Sequence, residues 1–159
     1  MNNRKSLIIQ EGTLSAKFPC SNTKRNRENS LIWVCSITPS PLSSTYTLKL
    51  RYLKDNEVKV YVIEPKPLAL ADGHLFLPHV YSTSEQSLCL FYSKAREWNS
   101  SMLFTDTIIP WACEWLVHYE CWVSTGKWNG GGINHNTESL KQDFKLNETT
   151  NEPNRFKNK

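Results

Sequence analysis

The chain has no Cys-x-x-Cys pair, no Gly-x-Gly-x-x-Gly loop, no internal repeat and no hydrophobic stretch long enough to cross a bilayer. Each absence excludes something. Its five cysteines, an odd number without paired spacing, argue against both a disulfide framework and a zinc site, and fit reduced thiols in a cytosol. Without a glycine-rich phosphate loop the chain carries no adenylating domain, so it does not activate a carboxylate itself. The formal charge of +4 and the pI near 8.8 are mild. Dense Lys/Arg blocks are missing, which disfavours a nucleic-acid partner. Within Met1–Gln10 only Leu7-Ile8-Ile9 is apolar, too short for a signal peptide or a membrane span.

What is present is aromatic. Five of the six tryptophans (Trp98, Trp111, Trp115, Trp122 and Trp128) fall in one short region, as a core or an interface would require. At 159 residues the chain is about one domain, able to bury roughly two thirds of its unfolded surface. Residues 1–13 read as a variable segment without a clear helical period, so that an opening helix is short or lost. Phe18-Pro19 reads as a turn, and the polar, basic Ser21–Asn29 as a solvated loop. Ser30–Thr38 is rich in β-formers and ends at Pro39-Ser40-Pro41. Tyr46–Leu53 and Glu57–Ile63 alternate apolar and polar side chains about a turn at Asp55-Asn56, the pattern of half-buried strands. Together the three predict an antiparallel meander, with a short fourth strand possible at His74–Pro78. Thr105–Thr125 reads as the main helix, with Pro110 tolerated in its first turn and Gly126 as its stop. Trp111, Trp115, Tyr119 and Trp122 share one face, which should meet the sheet, with Leu116 and Val117 off that stripe. Residues 136–159 are polar and aperiodic and read as a disordered tail, leaving 14–135 as the folded domain. The fold class is α+β: a small antiparallel meander, a cysteine loop, then a C-terminal helix packed on the sheet.

The stretch that carries chemistry is Leu77–Leu90. Cys89 lies between two leucines after a polar run, and His79 stands ten residues earlier, directly after Pro78. A thiolate is both a strong nucleophile and a good leaving group, suited to carrying an acyl group as a thioester. Most cysteines merely fill space, and Cys20, Cys35, Cys113 and Cys121 are read that way. Pro78-His79-Val80-Tyr81-Ser82, then Leu88-Cys89-Leu90, then Trp98-Asn99-Ser100, resembles the ubiquitin-conjugating enzyme family. That family reads His-Pro-Asn-Val, a short turn, Ile-Cys-Leu, a gap and Trp-Ser-Pro-Ala before a helix. Ile109-Pro110-Trp111, Glu114-Trp115-Leu116, Tyr119-Glu120-Cys121-Trp122 and Thr125–Gly132 narrow the match. They are similar to the conjugating-enzyme-like proteins of bacterial anti-phage operons that encode cyclic-oligonucleotide synthases (CBASS operons).

The resemblance implies a UBC-like fold and a cysteine-thioester acyltransferase in which Cys89 takes an acyl group and hands it to an amine. It further implies that the cargo is the C-terminus of the cyclic-oligonucleotide synthase, a nucleotidyltransferase, with a separate adenylating enzyme as a possible partner. Aligned on Val80, His79 takes the place of the family's asparagine, with two extra residues before Cys89. Aligned by distance from Cys89, it takes the place of the family's histidine. The Val80 alignment is preferred, and on either the asparagine is missing. A neutral imidazole can still donate to an oxyanion or accept a proton. Tyr81 and Ser82 are expected to support the loop. Trp128, Gly130, Gly131 and Gly132, with the helix flank of Glu114, His118 and Cys121, are expected to meet the partner. No cofactor and no metal is expected, since Glu114, His118 and the nearby cysteines match no strong ligand spacing. Two other functions compete: a binding module that only holds the synthase tail, and a cysteine hydrolase pairing Cys89 with His79. The intact Cys89 context favours the transferase over the first, and the lack of a third triad member disfavours the second.

Overall fold

A computed structural model describes residues 4–54, 57–92 and 97–131. The Asp55-Asn56 turn, Gly132 and the C-terminal tail lie outside the described residues. The elements run α1 (Leu7–Lys17), β1 (Asn22–Asn26), β2 (Ser30–Ile37), β3 (Tyr46–Leu53), β4 (Glu57–Glu64), β5 (Val80–Ser82), β6 (Ser87–Leu88) and α2 (Ile108–Thr125). The six strands form one antiparallel sheet in the order β1-β2-β3-β4-β6-β5. The fold is α+β and UBC-like. Period-two alternation sets its layering, since side chains on a strand point alternately to opposite faces. Leu31, Trp33, Cys35 and Ile37 of β2, Tyr46, Leu48, Leu50 and Tyr52 of β3, and Val58, Val60 and Val62 of β4 are buried in one cluster with residues of both helices.

The N-terminal reading needs correction at two points. An eleven-residue helix opens the fold. Its buried positions are Leu7, Gln10 and Leu14, and the intervening Ile8 and Ile9 are exposed, so the apolar stripe is too narrow to register as a period. Polar bonds position this helix instead. Ser6 caps it by accepting from the Ile9 N–H (3.4 Å), and the Glu28 carboxylate accepts from the Leu7 N–H at 2.8 Å, where negative charge suits a helix N-terminus. The buried Gln10 amide donates to the Met102 carbonyl (2.8 Å) and accepts from the Phe104 N–H (3.0 Å). The basic segment is likewise a strand, β1, paired to β2 from Asn22↔Val34 to Asn26↔Ser30. It is an edge strand whose burial alternates only between exposed and half-buried, and charged edges of this kind resist further pairing. Arg25 ties it to Glu11 of α1 at 2.6 Å. His74–Pro78 is not a strand; the further pairing comes from β5 and β6 instead.

Helix α2 starts three residues later than expected, because Thr105–Thr107 belong to the preceding turn, where the Thr107 hydroxyl donates to the Leu103 carbonyl (2.7 Å). Gly126 closes it in the left-handed region (φ 70°), its N–H donating to the Trp122 carbonyl. The buried face is broader than a tryptophan stripe: Ile108, Ile109, Ala112, Trp115, Leu116, Tyr119 and Trp122 are all buried. Leu116 is therefore core, and Trp111, at the edge of the arc, is only half-buried. Tyr46 anchors the helix over the sheet, edge-on to Tyr119 with ring centroids 6.2 Å apart and donating to Glu120 Oε1 at 2.9 Å.

Candidate active site

The cysteine loop is a hairpin hung on the end of the sheet. β5 and β6 pair Val80 with Leu88 and Ser82 with Ser87, with an irregularity between that leaves Tyr81 bulged out and half exposed at 47%. A bulge re-aims one side chain without breaking the pairing around it. Here it brings the Tyr81 hydroxyl into hydrogen bond with the Cys89 sulfur. Ser82 closes the turn, its hydroxyl accepting from the Glu85 N–H (3.2 Å) and bonding Ser84 (3.1 Å). The hairpin is pinned from beneath by Gln86, 1% exposed and with φ 54°. Its amide donates to the carbonyls of Val62 (2.8 Å) and Pro65 (3.0 Å) and accepts from the Leu68 N–H (2.6 Å). A buried amide with every group paired is a rigid post, and costly to lose.

His79 is buried and also left-handed (φ 48°), a strained backbone for a residue with a Cβ. Two bonds to its carbonyl hold it there. The Cys89 N–H donates to it at 3.0 Å, and Trp115 Nε1 on α2 donates to it at 3.0 Å. One carbonyl thus ties the cysteine to the hairpin and the hairpin to the helix. The His79 ring stacks on Trp128, with centroids 5.0 Å apart and planes at 27°.

His79 and Cys89 share the wall of a cavity of about 410 Å³. Leu90, Phe91 and Glu97 line it on the hairpin side, Trp111, Glu114, Trp115 and His118 on the α2 side, and Trp128 and Gly131 from the segment after α2. Trp128 is the keystone of that far wall, 5.7 Å from Trp115 and 5.8 Å from His118 between ring centroids. Gly130 makes this possible: a Cβ there would lie 2.8 Å from Trp128 Nε1 and 2.9 Å from His118 Cδ2. Of the residues expected to meet a partner, Trp128 and Gly131 therefore line the same cavity as Cys89 and Gly130 packs behind it. Glu114 and His118, expected on the partner-facing flank, line the Cys89 cavity as well; Glu97 went unrecognised as a site residue, because only the fold turns it toward Cys89. Gln86 left no signal at all, being one polar residue in a polar run.

Burial pushes the Cys89 thiol above its ordinary range and nearby Glu97 adds to this, while the Tyr81 hydrogen bond opposes both. Tyr81 is itself pushed well above the usual phenol range by burial and by the sulfur. Burial and Glu97 thus oppose the thiolate, and the Tyr81 hydrogen bond favours it. Among the described residues no cluster of three or more His, Cys, Asp or Glu could hold a metal ion, and no helix is long and apolar enough to cross a membrane.

An antiparallel sheet flanked by an N-terminal and a C-terminal helix, with one cysteine presented on a hairpin beside a cavity, defines the UBC-like class. Within it, the family model described as Type II CBASS E2 protein matches residues 10–136, and the chain belongs to that family. No curated protein matches the chain.

Proposed function

We propose that this CBASS E2-like protein is a transacylase that carries a protein C-terminus as a thioester on Cys89 and passes it to an amine. The observation that carries this reading is the placement of Cys89 at the wall of a cavity it shares with two imidazoles, His79 and His118, and hydrogen-bonded to the Tyr81 hydroxyl. In loading, the thiol gives up its proton and sulfur attacks the activated acyl carbon, expelling the activating group. The His79 ring serves as proton acceptor or as N–H donor to the oxyanion. In transfer the C–S bond breaks, and Tyr81 donates to the thiolate as it forms. A thiol held protonated by burial is slow to react with stray electrophiles, so loading depends on a docked, activated donor. The cargo that best fits this family is the C-terminus of the cyclic-oligonucleotide synthase, activated by a separate adenylating enzyme or supplied as a preformed acyl donor.

The raised thiol is also what favours a second reading, a module that binds the synthase tail without chemistry. Alanine at each cysteine separates the two. Cys89→Ala should abolish a thiol-labile adduct with the synthase, whereas Cys20→Ala, Cys35→Ala, Cys113→Ala and Cys121→Ala should keep it. Full conjugation by a folded Cys89→Ala chain leaves only the binding module. His79→Ala should slow transfer more than loading; unchanged rates for both reduce His79 to a loop support.

A further inference from the structure

Helix α2 sends Trp111, Glu114, Trp115 and His118 into the cavity, at spacings of three, one and three that place them on one helix face. Two of these residues are ionisable. His118 Nε2 lies 3.7 Å from Glu114 Oε1, and their side chains are 29% and 68% exposed. The carboxylate therefore stands toward the mouth and the imidazole deeper in, with Cys89 lining the same cavity. The His118 ring is held between Trp128 and Gly130, where a Cβ would lie 2.9 Å from its Cδ2. That is a fixed imidazole, and imidazole is the side chain that exchanges protons near neutral pH. A second carboxylate, Glu97, lines the cavity too, so its electrostatics favour a cationic visitor.

We propose that Glu114 and His118 form the acceptor subsite, which takes a primary ammonium such as a lysine side chain. This deepens the thioester reading of Cys89 and rests on it. Glu114 draws the ammonium in, and His118 takes one proton from it and returns that proton to water. The neutral amine then attacks the thioester carbonyl carbon, forming the C–N bond. The C–S bond breaks with its electron pair left on Sγ, and the second amine proton neutralises the thiolate, giving an amide and free Cys89. His79 and His118 thereby divide the chemistry, one serving the acyl group and the other the acceptor.

The test uses the full chain carrying Cys20→Ser and Cys121→Ser, loaded at Cys89 by exchange with a synthetic C-terminal peptide thioester. Discharge is followed with Nα-acetyl-lysine and, separately, with hydroxylamine, which is already neutral near pH 7 and needs no base. His118→Gln should slow discharge to the lysine roughly 100-fold and leave discharge to hydroxylamine nearly unchanged. Glu114→Gln should raise the KM for the lysine several-fold more than it lowers kcat, and added salt should erase the difference. Lysine discharge at the wild-type rate in His118→Gln overturns the subsite while the loaded Cys89 stands. Equal losses toward both nucleophiles overturn it as well, marking His118 as packing. Failure of wild-type Cys89 to accept the acyl group overturns both readings together.

Discussion

The two walls of the cavity are built by different physics. On the hairpin wall, directional bonds hold the backbone: the His79 carbonyl receives two donors and the buried Gln86 makes three hydrogen bonds. The facing wall, from Trp111 through Gly131, rests on ring packing among Trp115, Trp128 and His118 and on the bare Cα of Gly130. Hydrogen bonds fix angle as well as distance, which suits the nucleophile proposed at Cys89, whose direction of attack would matter. Ring contacts give shape with less angular constraint, which suits the acceptor subsite proposed on that wall. Stability and activity should therefore separate across the cavity.

Trp115→Ala would damage both walls, since Trp115 is buried, stacks on Tyr119 with centroids 5.5 Å apart and bonds the His79 carbonyl. Its expected cost is about 3–5 kcal/mol by chemical denaturation. Gln86→Ala attacks the hairpin alone. It strands the Leu68 N–H and the Val62 and Pro65 carbonyls and should cost about 2–4 kcal/mol, with acyl loading falling in step with folded protein.

Trp128→Ala breaks the facing wall. Half-buried and held by ring contacts, it should cost only about 1–2 kcal/mol, while transfer per folded molecule and capture of the cargo protein both fall. A melting-temperature loss as large as that of Trp115→Ala would erase the distinction between the walls. Tyr81→Phe is the smallest expected effect, within about 0.5 kcal/mol in stability because the side chain is half exposed. Its signature lies in reactivity. The Tyr81 hydroxyl lowers a thiol that burial has raised, so its loss raises that thiol further, and less thiolate is present at any given pH. The pH profile of Cys89 alkylation by iodoacetamide should shift to higher pH in Tyr81→Phe. An unmoved profile would mean the hydroxyl does not act on the sulfur.

Wherever a periodic or covalent constraint reached into the residues themselves, the sequence was legible. Strand β2 followed from its β-forming residues and its proline stop, β3 and β4 from alternation, and the end of α2 from Gly126. Helix α1 and strand β1 escaped because each buries little of its own. α1 is placed by Gln10, Glu28 and Glu11, whose partners lie far along the chain. β1 exists only because β2 offers its edge.

Composition and local order alone determined the α+β class, a central antiparallel meander and a tryptophan-rich C-terminal helix, because burial of alternating and helical apolar faces needs no knowledge of distant partners. Tertiary structure alone decided that Glu114 and His118 face the same cavity as Cys89, that Tyr81 bulges onto the sulfur, and that Trp128 folds back over His79. The contacts of α2 and Trp128 join residues 25 or more positions apart, the Tyr81 contact depends on a bulge in the strand pairing, and a side chain's neighbours across space are set by how elements pack, which no local pattern encodes.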